Sequence, residues 1–104
     1  MQEERILCGA SSYEEKFYIN SDFSGLPESI KEELQILCVL FTADVGGVLM
    51  LSFNEGGKLE LHTSHNDEDY LYDEIGSVLK IKEIQKTKKV LFEALEKYYE
   101  VFVR

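Results

Sequence analysis

The chain has 104 residues, of which 44% are apolar and 30% charged, and a net charge of −9. That is the size of one domain, with enough hydrophobic side chains to close a core, which excludes a disordered tail. The excess of acid argues against a surface that neutralises phosphate, so neither nucleic acid nor an anionic membrane is an expected partner.

Arg5 to Gly9 and Lys16 to Asn20 read as two short strands joined by the polar Ser-Ser-Tyr-Glu-Glu segment. In the second, Phe17 and Ile19 alternate with Lys16, Tyr18 and Asn20, the period of a strand with one buried face. Pro27 suits the first position of a helix, and Glu28 follows at the positive end of its dipole. Ile30, Leu34, Leu37, Cys38 and Phe41 recur at helical spacing and predict a helix from 27 to about 44, stopped by Gly46-Gly47. The run Ile36 to Phe41 is apolar all round, which places that end of the helix deep in the core. At six residues it is also far short of the roughly 20 of a membrane span, and Met1-Gln2-Glu3-Glu4-Arg5 is not a signal-peptide start.

Val48 to Phe53, the loop Asn54-Glu55-Gly56-Gly57 and Lys58 to Thr63 together read as a β-hairpin. Alternation turns Leu49, Leu51, Phe53, Leu59 and Leu61 inward, and it turns Val48 and Met50 outward beside Lys58, Glu60 and His62. Asn66 to Asp69 are residues that cap a helix, and a final long helix follows. Its apolar stripe does not hold register: Leu71, Ile75, Val78 and Leu79 mark one face, whereas Ile81, Ile84, Leu91, Leu95, Tyr98 and Phe102 mark another. A bend or break between Gly76 and Lys82 would bring both to the core. The expected fold class is α+β, one domain over 1–104: a two-layer sandwich in the order ββαββα, its four-stranded antiparallel sheet carrying two helices on one face. The two ββα halves rhyme but share almost no identity, so they are not a repeat.

Three stretches resemble an uncharacterised family of small acidic proteins from clostridia-type Firmicutes. They are Leu26 to Leu34, Cys38-Val39-Leu40-Phe41-Thr42 with Asp44-Val45-Gly46-Gly47, and Tyr72-Asp73-Glu74-Ile75-Gly76-Ser77. The resemblance runs over nearly the whole chain and implies a bacterial, cytoplasmic, single-domain protein. It implies no activity and no site residue.

Cys8 and Cys38 stand in apolar stretches, away from any CxxC or Cys/His spacing, and read as buried free thiols of a reducing compartment, with a disulfide as the lesser alternative. His62, His65 and Asp67 carry the ligand types of a divalent metal site, but at a spacing that matches no structural zinc pattern. Gly46-Gly47 and Gly56-Gly57 lack the flanking residues of a phosphate loop. Ser11, Ser12 and the two cysteines are conceivable nucleophiles, yet both histidines lie elsewhere in the chain, and the adjacent acids Asp73 and Glu74 diverge by about 100° on a helix.

Charge is unevenly spread. Residues 1–79 hold 16 acids and 4 bases, whereas residues 80–104 hold 4 acids and 7 bases. Lys82, Lys86 and Lys89 share one helical stripe, with Lys80 and Lys88 nearby, and such a strip suits a solvated face or the acidic body of this or another copy. Five tyrosines at 18, 70, 72, 98 and 99 are too many for the inner face of a small sheet. Together with the outward Val48 and Met50 they point to a partner surface at Tyr18, Val48 and Met50. The expected function is therefore a non-enzymatic protein interaction module that self-associates as a homodimer or binds another protein, without a cofactor. The alternative is a small metal-dependent or small-molecule enzyme built on His62, His65 and Asp67.

Overall fold

A computed structural model describes residues 5–104; Met1 to Glu4, part of the stretch weighed for a signal peptide, lie outside the described residues. The chain runs β1 (Arg5–Ser11), β2 (Lys16–Ile19), a 3₁₀ turn (Ser21–Phe23), α1 (Glu28–Val45), β3 (Val48–Phe53), β4 (Leu59–Ser64), α2 (Glu74–Thr87), α3 (Lys89–Tyr98) and a closing π-helical turn (Tyr99–Val103). It is an α+β fold with one four-stranded sheet in the order β2-β1-β3-β4, antiparallel throughout.

Register sorts the side chains by face. Cys8 pairs with Ile19 and Leu51, and Leu51 pairs with Leu61; one row along, Ala10 pairs with Phe17 and Leu49. These residues belong to one apolar cluster with Leu34, Leu37, Cys38 and Phe41 of α1 and Phe92 and Leu95 of α3. A bulge between Ile6 and Cys8 shifts the register of β1, so that the consecutive residues Leu7 and Cys8 are both fully buried. Near the chain's end, Tyr99 stacks on Phe53 with ring centroids 4.3 Å apart, and Phe23 stacks beside them. Among the described residues sixteen apolar ones are thereby buried, the main source of stability here.

α1 ends where the two glycines predict, because Gly46 and Gly47 have φ of 85° and 71°, a conformation glycine adopts without strain. A methyl group on Gly47 would stand 2.6 Å from the Ser64 carbonyl oxygen and 2.7 Å from the Tyr72 ring. The hairpin also forms as expected. Gly57 takes φ 81°, and the Asn54 side chain accepts a hydrogen bond from the Lys58 backbone N–H at 3.0 Å.

The structure corrects three expectations. First, Asn66 to Asp69 do not cap a helix. They form a turn in which Asp69 Oδ1 accepts from the Leu71 N–H, and the helix waits for Asp73, whose carboxylate accepts from the Gly76 N–H at 2.8 Å. Second, the final helix breaks at Lys88 rather than between Gly76 and Lys82, giving three long helices instead of two. The two apolar stripes are not reconciled by the break: Ile81, Ile84, Leu91, Leu95 and Tyr98 turn inward, but Phe102 of the same stripe is 74% exposed, and Leu71, Ile75, Val78 and Leu79 stay in solvent. Third, the apolar stretch of α1 is not covered on all sides. Leu37, Cys38 and Phe41 are buried, but Ile36 and Leu40 are 58% and 63% exposed.

Candidate functional site

The exposure of Ile36 and Leu40 follows from α1 facing the sheet on one side only. With Leu34, Leu37, Cys38, Phe41 and Val45 turned to the core, the 3.6-residue period sends Ile36, Val39 and Leu40 outward. What happens beside them depends on α2, and α2 is positioned by its start. The Asp73 N–H donates to the Val45 carbonyl at 3.1 Å, and Tyr72 donates from its hydroxyl to Ser77 Oγ at 2.8 Å while its ring lies against Gly47. From that junction α2 returns antiparallel along α1. Lys80 Nζ reaches Asp44 Oδ2 at 2.6 Å near the junction, and Lys88 Nζ reaches Glu33 Oε2 at 3.0 Å at the far end.

Between these two ion pairs the helices leave a hollow of about 820 Å³. Its floor is Ile36, Leu37, Leu40, Phe41 and Ile84, and its rim adds Glu32 and Glu83 to the paired groups. Four acids against two lysines leave the rim with a surplus of two negative charges. Asp44, by its hydrogen bond and its charge, holds the Lys80 ammonium above its ordinary pKa, so this bridge stays charged well into the alkaline range. Among the described residues the lining holds no histidine or cysteine and has hydroxyls only at Ser29 and Thr87, so it offers mainly apolar contact and charge.

The outer sheet face is the second surface. Register aligns Tyr18, Gly9, Met50 and His62 in one row across all four strands. Tyr18 is 57% exposed and Met50 36%, while Val48 is half-buried in the next row. Ile6, Ser52 and Glu60 form the row on the other side, where Ser52 is buried and its hydroxyl has no hydrogen-bond partner among the described residues. The apolar groups on this face are thus few and separated by Gly9 and polar neighbours.

The remaining sequence candidates are spread over the molecule. His62 lies 3.3 Å from Glu60 on the sheet, whereas His65 stacks on Tyr72 at 4.3 Å and lies 3.4 Å from Glu74; among the described residues no three His, Cys, Asp or Glu side chains are grouped to hold a metal ion. Asp67 is exposed in the turn. Ser11 Oγ accepts from the Glu14 N–H, and Ser12 is bound through its backbone to Gly47. Cys8 and Cys38 are free and face each other in the core with Sγ atoms 3.9 Å apart, and the neighbouring thiol together with burial pushes the Cys8 pKa far above its ordinary value. A thiol so shifted is inert at neutral pH. Lys82, Lys86 and Lys89 are exposed and make no ion pair among the described residues.

Sequence reasoning missed the hollow because an all-apolar segment was assigned to the interior. The available signal was the stripe Ser29, Glu32, Ile36, Leu40, Ala43, which runs along α1 at helical spacing with polar residues only at its N-terminal end.

No helix among the described residues is long and apolar enough to cross a membrane. A model described as a family of unknown function (DUF6145) matches residues 4–104. No curated protein matches the chain, and no solved structure does.

Proposed function

Because the chain belongs to that family of unknown function, its role has to be read from its own surfaces, and we propose that it is a protein-binding module whose working site is the α1/α2 hollow. The observation that carries this is a bounded apolar floor, with Ile36 and Leu40 more than half exposed, held open by a lysine–carboxylate bridge at each end. A ligand suited to it is an amphipathic helix that sets apolar side chains on the floor and directs lysine or arginine to Glu32 and Glu83. The reading takes α1 and α2 to lie over the inner face of the sheet, supported by the core that α1, α3 and the inner sheet residues share. Bacterial origin and a cytoplasmic setting fit an acidic chain with free thiols.

Tyr18, Val48 and Met50 remain a second docking surface in this proposal. Gly9 separates Tyr18 from Met50 in their row, and Met50 is 36% exposed against 58% and 63% for Ile36 and Leu40, which favours the hollow. The two are separated by titrating isotopically labelled protein with a synthetic helical peptide of leucine and lysine. Amide shifts confined to 36–44 and 80–88 support the hollow. Shifts centred on Tyr18 and Met50 assign the role to the sheet face, and no shift anywhere refutes a helix-binding module.

A further inference from the structure

The helix that best matches the hollow is on the same molecule, facing the other way. Ile75, Val78 and Leu79 project from the first half of α2, with Ile75 76% exposed, and Lys82 and Lys86 continue the same face toward Lys89 beyond the break. One turn is about 3.6 residues, so Ile75, Leu79, Lys82 and Lys86 form a single stripe, opposite the side on which Lys80, Ile84 and Lys88 meet α1. An apolar patch followed by exposed lysines that make no ion pair among the described residues is the chemical complement of an apolar floor rimmed by surplus acid.

We infer that the hollow is occupied by α2 of a second copy of this chain, and reciprocally, so that two copies form a symmetric dimer in which each α2 packs against the other's α1. The floor residues Ile36 and Leu40 receive the partner copy's Ile75, Val78 and Leu79, and Glu32 and Glu83 face its lysines. A two-fold axis makes both contacts at once, since each copy carries one hollow and one projecting face. The intramolecular bridges Lys80–Asp44 and Lys88–Glu33 tie α1 to α2 at the two ends of the hollow.

This inference rests on the hollow being a helix-docking site, and the tests keep the two apart. Light scattering and sedimentation of the full chain, up to about 0.5 mM, are expected to show a dimer. Leu40→Glu, in the hollow, and Leu79→Glu, on the projecting face, each place a charge in the contact and should lower the association constant by at least about 30-fold. Circular dichroism should show both folded, because both positions are exposed in the single chain. An equimolar mixture of the two variants should regain dimer, weaker than the unsubstituted protein, since one hollow and one projecting face remain intact. Met50→Lys should leave the dimer unchanged. A monomer at every concentration, dimers that survive both glutamates, a mixture that stays monomeric, or loss of the dimer on Met50→Lys would each overturn the proposal. If the synthetic peptide binds the hollow while the chain stays monomeric, only the second copy is wrong; if the peptide also fails, the docking site itself is wrong.

Discussion

Leu37 and Leu40 are one turn apart on α1, and replacing each with alanine should give very different results. Leu37 is 8% exposed and part of the core, so its loss removes three buried carbons. At ~0.8 kcal/mol per carbon the transfer contribution is ~2.4 kcal/mol. The cavity left behind raises the total to about 3 kcal/mol. Leu40 is 63% exposed at the edge of the open hollow. Only about a third of its transfer energy is at stake, no enclosed cavity forms, and alanine is the better helix former, so the loss is under about 1 kcal/mol. Thermal unfolding at a protein concentration low enough to hold the monomer measures both. For a chain of this size Leu37→Ala should lower Tm by about 15 °C and Leu40→Ala by less than about 6 °C. Equal losses would mean that Leu40 is packed inside, and the hollow would not exist.

Gly47→Ala forces a methyl group onto the Ser64 carbonyl and the Tyr72 ring at a positive φ, and should cost more than about 2 kcal/mol by denaturant titration, whereas Gly56→Ala, with φ outside that region, should cost under about 1 kcal/mol. Ser52→Ala removes a buried hydroxyl that has no partner among the described residues and should raise stability by up to about 1 kcal/mol; a loss would show that the hydroxyl is satisfied in solution. The Tyr13 hydroxyl donates to Asp69 at 2.6 Å and holds its carboxyl below the ordinary carboxylate pKa, so the stabilisation is present above the unfolded pKa and is lost as pH falls through the folded one. Tyr13→Phe should therefore move the Asp69 titration, followed by its carboxyl carbon resonance, upward, and an unmoved titration would remove Tyr13 as the cause.

Where one physical signal dominated, the sequence was readable. The Gly-containing hairpin, the Gly46-Gly47 stop and the inward set Leu49, Leu51 and Phe53 follow from turn chemistry and period-2 alternation, and all appear in the structure. The start of α2 was not readable, because Asn66 to Asp69 and Asp73 are all good caps. The Asp73 hydrogen bond to Val45 and the packing of the Tyr72 ring against Gly47 choose between them, and these join residues far apart in the chain. The stripe Leu71, Ile75, Val78, Leu79 was misplaced for a different reason. Periodicity shows that residues share a face, and it does not say whether that face meets the core or solvent. The same ambiguity hid Ile36 and Leu40, so both halves of the inferred contact come from apolar faces that pattern alone assigns to the interior.

The α1/α2 hollow and the outer face of α2 are, on this account, the two halves of one contact between copies of the chain. Its most direct test is a dilution series of the labelled, unsubstituted chain followed by backbone amide shifts. Concentration-dependent shifts should appear together along 36–44 of α1 and along 75–86 of α2, with Tyr18, Met50 and His62 unmoved. Shifts that gather on the sheet face instead, or a spectrum that does not change with concentration, would contradict it.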